Sequence, residues 1–193
     1  MRLDLNTLAL PLLFLTAGCD SQGLTVVPPD EIESGPVLSY GVGPLGHFDD
    51  SIEQCTEFIR QNPQDPRAYY SRALTYGHLG QHAKAIEDFT QCLSLTPNDS
   101  LSFHGRAIAN FMLERYADAV NDFSSAIELV RTDAESHYGR GMCFSRTGHL
   151  EQAMADFQQA INLNPVMSRA YYAMDQTEEE LKRQGSQPER AKP

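Results

Sequence analysis

Three sets of residues in this chain have the type and spacing to do chemistry. The first is one thiol, Cys19, which directly follows Leu15, Thr16, Ala17 and Gly18. A cysteine thiolate is a nucleophile, and small residues beside it leave room for a processing enzyme's pocket. The second set pairs charge with charge: Arg72, Arg106 and Arg140 recur every 34 residues, and Asp88, Asp122 and Asp156 recur at the same interval. Such a set builds either an anion-binding row of arginines or one structural Arg–Asp pair per repeat. The pair is the stronger reading, because the two members recur together and a row of unpaired buried guanidinium groups is costly. The third set is Tyr70, His104 and Tyr138, again 34 apart, each able to bury apolar area and offer a hydrogen bond.

The remaining candidates carry little. Cys55, Cys92 and Cys143 form no C-x-x-C pair, and they read as small core residues. His78 and His82 are four residues apart, but a helix break at Gly80 falls between them. No nucleophile elbow, phosphate-binding loop or H-E-x-x-H pattern occurs. No catalytic set, metal or cofactor is therefore expected. The formal net charge of −11, which loss of residues 1–18 would leave unchanged, argues against nucleic acid, since phosphate binding needs clustered Lys and Arg.

These side chains must be positioned by three different kinds of segment. The apolar run from Leu8 to Leu15 is broken by Pro11 and is too short to span about 30 Å of hydrocarbon. It has the length of a signal-peptide core. Leu15-Thr16-Ala17-Gly18-Cys19 resembles the bacterial lipobox, with Thr16 where Leu is preferred and Asp4 offsetting Arg2. The resemblance implies cleavage after residue 18, lipidation of Cys19 with fatty acyl chains, and anchoring to a membrane of the bacterial cell envelope, facing the periplasm or the exterior. Residues 19–46 hold four prolines and five glycines and no helical period, so they read as a flexible tether. Packing of 37–40 onto the first helices is the other reading of that stretch.

From residue 47 the chain becomes periodic. Segments 66–99, 100–133 and 134–167 align without a gap, each with a small residue four before a Phe: Ala85 and Phe89, Ala119 and Phe123, Ala153 and Phe157. Ala73, Ala107 and Gly141 recur, as do Leu95, Leu129 and Leu163. Asp65, Asp99 and Asp133 stand where helix N-caps are needed, with Ser168 for the last helix, and Gly80, Glu114 and Gly148 stand where first helices stop. This pattern resembles the tetratricopeptide repeat (TPR) family, with aromatic or His residues in place of its Trp and Arg in place of a consensus Leu.

The resemblance implies an all-α solenoid of about eight helices over 47–184: a half repeat at 47–65, the three repeats, and a C-terminal helix at 168–184, with a disordered tail at 185–193. It also implies a concave face built from first helices. Tyr70, Leu74, His104, Ile108, Met112, Tyr138 and Met142 would line that face, joined by Arg67, His78, Leu101, Glu135 and Arg146. They either receive a peptide or pack on the final helix or the tether. The clamp by which the chaperone-binding branch holds a C-terminal carboxylate is missing. The expected function is a membrane-anchored, non-enzymatic scaffold for a protein or peptide partner in the envelope. The alternative is a structural protein that dimerises through the ends of the array.

Overall fold

A computed structural model describes residues 48–185, all of which lie in one compact unit. The expected signal peptide (1–18), the lipidated Cys19, the linker (19–46) and the tail beyond Gly185 lie outside the described residues. Within them the chain forms eight helices and no strand. They are α1 (Phe48–Gln61), α2 (Pro66–His78), α3 (His82–Leu95), α4 (Ser100–Met112), α5 (Tyr116–Leu129), α6 (Ala134–Arg146), α7 (Leu150–Leu163) and α8 (Ser168–Gly185). No described helix is long and apolar enough to cross a membrane.

Local chemistry sets the helix boundaries. Asp65, Asp99 and Asp133 are extended in backbone, and their side chains accept from the backbone N–H two residues on, satisfying amides that a helix start leaves orphaned. Pro66 adds a fixed φ at the first turn of α2. Ser168 does not stand in the capping position, because it is already the first helical residue of α8. First helices end on a left-handed residue: Gly80 at φ 71°, Glu114 at φ 59° and Gly148 at φ 78°. Glu114 holds this conformation despite its Cβ, which the two glycines lack.

Each helix packs on its neighbours in the chain, and the first helices of successive repeats also touch: α2 with α4, α4 with α6, α6 with α8. The second helices α3, α5 and α7 do not touch one another. Inner helices that meet and outer helices that spread make a curved array with α2, α4, α6 and α8 on its inner side. The small residues make the close approach possible. Ala73, Ala85, Ala107, Ala119, Ala153 and Ala160 are wholly buried, with Phe89, Phe123 and Phe157 filling the space between helices.

The tightest contacts are between a ring and a backbone. A Cβ on Gly105 would fall 2.4 Å from Phe89 Cζ, and one on Gly139 would fall 2.3 Å from Phe123 Cζ. The phenyl ring of one repeat therefore rests on the bare backbone of the next first helix. At the two ends of the array the pairing changes: Cys55 replaces the Phe and faces the register of Ser71, while Phe157 is kept and faces that of Ala173.

Two opposed effects decide what Gly139→Ala does. Alanine is the better helix former by about 1 kcal/mol. Overpacking a buried contact costs about 1–3 kcal/mol, and the Phe123 ring has nowhere to retreat. The expected result is net destabilisation by about 1–2 kcal/mol, read as a lower urea midpoint with an unchanged m-value. A higher midpoint would show that the ring can shift and that propensity wins.

Candidate functional site

The recurring charges come together as three equivalent clusters. Arg72 donates to both carboxylate oxygens of Asp88, from Nε and Nη2, each at 2.8 Å. Arg106 holds Asp122 in the same way at 2.9 and 2.7 Å, and Arg140 holds Asp156 at 2.8 and 2.8 Å. The third nitrogen of each guanidinium reaches back to the preceding repeat: to Thr56 Oγ1 at 2.9 Å, Thr90 Oγ1 at 3.1 Å and Ser124 Oγ at 3.0 Å. One planar fork thus ties three helices, α1–α2–α3, α3–α4–α5 and α5–α6–α7. All three aspartates are buried. Asn110 adds a donor to Asp122, and His137 lies against Asp156. With both carboxylate oxygens and the guanidinium donors engaged, these arginines offer no row for an anion. Removing one partner from a buried pair typically costs about 3–5 kcal/mol, because the other charge is stranded.

The hydroxyl row Thr56, Thr90 and Ser124 was not found in the sequence, because its residue types carry no signal by themselves. The three described cysteines are free and buried. Burial raises the thiol pKa values of Cys55 and Cys92 and pushes that of Cys143 up to about 12, so none is poised as a nucleophile. Among the described residues no group of three His, Cys, Asp or Glu could hold a metal ion.

The inner face is organised in levels, because residues 34 apart occupy equivalent places on α2, α4 and α6. One level is Tyr70, His104 and Tyr138; the next is Leu74, Ile108 and Met142. The rings at the first level are engaged from below: Tyr70 edge-on to Phe89, His104 edge-on to Phe123, and Tyr138 tilted on Phe157. Tyr138 is also covered from above. The Arg169 guanidinium of α8 lies 4.8 Å from its ring centroid and pairs with Glu135. Tyr70, Leu74, His104, Tyr138 and Met142 are half-buried. The open apolar surface is on α4, where Leu101 is 62% exposed, Ile108 46% and Met112 55%, and on α8, where Tyr172, next in the Tyr70 row, is 69% exposed. Beside Leu101 a cavity of about 530 Å³ opens between the start of α2, the end of α3 and the start of α4. Arg67, Tyr70, Cys92, Thr96 and Asp99 are among the residues that line it. Sequence reasoning did not find this cavity, since its walls come from helix ends that carry no common periodic signal.

Charge on this face is sparse. Arg67 is paired with Asp65, and Arg169 with Glu135. Arg146 is exposed at the level of Met112 and makes no ion pair among the described residues. His104 lies in the middle of the face, its Nδ1 at 2.8 Å from Ser136 Oγ. The Ser136 hydroxyl donates to Asp133, so its oxygen is left to accept from the His104 ring N–H. Burial of the ring lowers the His104 pKa, against the raising effects of Asp133 and Glu135, while Arg169 adds to the lowering.

The family model for the tetratricopeptide repeat matches residues 66–99 and 134–165. No curated protein sequence matches the chain significantly. Among solved structures, MamA from Desulfovibrio magneticus RS-1 is similar with a TM-score of 0.69 at 19% identity, covering 71% of this chain and 77% of that one. The first TPR of Spaghetti (RPAP3), bound to an HSP90 peptide, SRMEEVD, matches with a TM-score of 0.60 at 24% identity, covering 62% and 94%. YrrB, described as a TPR protein with an unusual peptide-binding site, gives 0.63 at 20% identity, covering 70% of each chain. At these identities the likeness establishes the fold.

The His104 environment sets a sign for pH. Its pKa in the folded state lies below its value in the unfolded chain, so the unfolded chain holds the proton more tightly. Stability is then fully present above about pH 6.5 and falls as pH drops through that value. His104→Asn, which keeps a δ-position donor but cannot titrate, is expected to remove part of the loss between about pH 7.5 and about pH 5.5. Urea midpoints at the two pH values measure this. The same loss in both proteins would place the sensitivity elsewhere.

Proposed function

Because this chain is a tetratricopeptide-repeat solenoid, we propose that it is a non-catalytic scaffold that holds a protein or peptide partner against its concave face. The observation that carries this reading is the open apolar surface of α4, with Leu74 and Met142 beside it on the flanking helices. Contiguous exposed apolar surface on a folded domain marks an interaction site more often than a catalytic one. The fold neighbours support the class of partner, since one is solved with a peptide and another is described by its peptide-binding site. The buried thiols and the fully paired Arg–Asp clusters leave those residues to structure.

The scaffold is proposed to be held at a membrane of a bacterial cell envelope, facing the periplasm or the exterior, through lipid on Cys19. What supports this is the sequence at residues 15–19 and the short apolar run before it. Several acyl chains on one residue would anchor stably where one would not. The acidic balance of the chain suits this division of labour, because a folded face of net negative charge is repelled by anionic headgroups.

Two substitutions test the two halves separately. Cys19→Ser is expected to abolish incorporation of radioactive fatty acid and to leave the precursor uncleaved; equal label in mutant and parent ends the lipoprotein reading. The pair Ile108→Glu and Met142→Glu is expected to weaken retention of the cognate partner by about tenfold or more, as central interface residues do, with helix content unchanged. Glu87 on the outer helix α3 is the control, and Glu87→Ala should change neither. If both proteins retain partner equally, the binding surface is not the concave face.

A further inference from the structure

We propose that a proton on His104 and the seat of Arg169 over Tyr138 oppose each other, so that acid loosens the first turn of α8 from the inner face. Both side chains draw on the same place, the first turn of α6. His104 reaches it from α4, with Nδ1 at 2.8 Å from Ser136 Oγ and at 3.7 Å from Asp133 Oδ2. Arg169 reaches it from α8, pairs with Glu135 and lies 4.8 Å from the centroid of the Tyr138 ring. Glu135 and Ser136 are neighbours in the chain, so the two approaches end one residue apart. A helix start is the positive end of its dipole, so each cation brought there needs a carboxylate.

The carboxylates of this turn are Asp133 and Glu135, and both are engaged. Asp133 Oδ1 accepts from the backbone N–H of Glu135 at 3.0 Å and of Ser136 at 3.2 Å, while its Oδ2 accepts from the Ser136 hydroxyl. Glu135 holds Arg169. A neutral His104 makes no claim on either, because its Nδ1–H donates to the Ser136 oxygen. An imidazolium does make one. Asp133 is committed to the cap, which leaves Glu135, and what Glu135 gives to His104 it withdraws from Arg169.

The other elements packed on α4 do not relieve this competition. From α5, Phe123 meets the His104 ring edge-on at 5.6 Å between centroids. Asp122 of α5 and Asp88 of α3 are held by Arg106 and Arg72. α2 carries Tyr70 at the same level, and its Arg67 is paired with Asp65. Burial lowers the His104 pKa, Asp133 and Glu135 raise it, and Arg169 lowers it. Coupling between two sites is reciprocal, so if Arg169 weakens the hold on the proton, the proton weakens the hold on Arg169. The seat is therefore full above about pH 6.5, the ordinary histidine value, and loosens as pH falls below it. Arg169 and Glu135 are half-exposed, so solvent screens the coupling and the response is graded.

The test follows the His104 ring by NMR in the full chain, with His104→Asn to assign its signal. Arg169→Gln is expected to move the His104 titration midpoint upward, and Arg183→Gln, near the far end of α8, to leave it in place. Urea midpoints carry the reciprocal measurement. The loss caused by Arg169→Gln is expected to be smaller at about pH 5 than at about pH 7.5, and to be equal at the two pH values when His104→Asn is also present.

An unchanged His104 midpoint in Arg169→Gln overturns the proposal, and so does an upward shift of the same size in Arg183→Gln. A loss that does not shrink in acid overturns it as well. So does a loss that shrinks as much with His104→Asn as without it, which would place the sensitivity in another group.

Discussion

A phenyl ring pressed onto a helix backbone sets the spacing on which the rest of this solenoid depends. Phe89 rests on Gly105 and Phe123 on Gly139, at a distance that leaves no room for a Cβ. Glycine in a helix interior is unfavourable by about 1 kcal/mol, so its presence on α4 and α6 reflects what the contact returns in packing. The ring comes from the second helix of one repeat and the glycine from the first helix of the next. The contact therefore defines how closely the three central repeats stack, each setting the position of the next.

The Arg–Asp–hydroxyl clusters fix what apolar packing leaves free. Close-packed small residues and rings specify distance well, but neighbouring helices can slide or rotate past one another at small cost. A planar guanidinium that satisfies two carboxylate oxygens and a hydroxyl from three helices at once admits one arrangement. Repetition of the same geometry at Arg72, Arg106 and Arg140 gives each junction the same setting. Curvature follows from it, with the first helices in contact on the inside and the second helices apart on the outside.

That curvature creates the inner face, and the spread of side-chain sizes decides which part of it stays open. Where a tyrosine is large enough to be reached by the following helix, as Tyr138 is by Arg169, the array closes over its own surface. On α4, His104 is met instead by the small Ser136, and Leu101, Ile108 and Met112 are accessible. Binding capacity and self-packing thus compete for the same residues, level by level.

The repeat period, the helix count, the capping aspartates and the burial of the alanines were all determined by sequence alone. Each rests on local chemistry or on a spacing that one chain displays directly. Glu114 was recognised as a helix stop of the wrong residue type, and its positive φ is the physical form of that exception. The co-recurrence of Arg72, Arg106 and Arg140 with Asp88, Asp122 and Asp156 was enough to suggest pairs. The third partner of each arginine was not legible, because Thr56, Thr90 and Ser124 sit sixteen residues before it, a separation that only helix stacking turns into contact. Likewise the sequence placed Tyr70, His104 and Tyr138 in one row, but only the tertiary structure ranked their openness. Exposure depends on what the next helix brings over each ring, and Arg169 reaches Tyr138 because α8 packs beside α6.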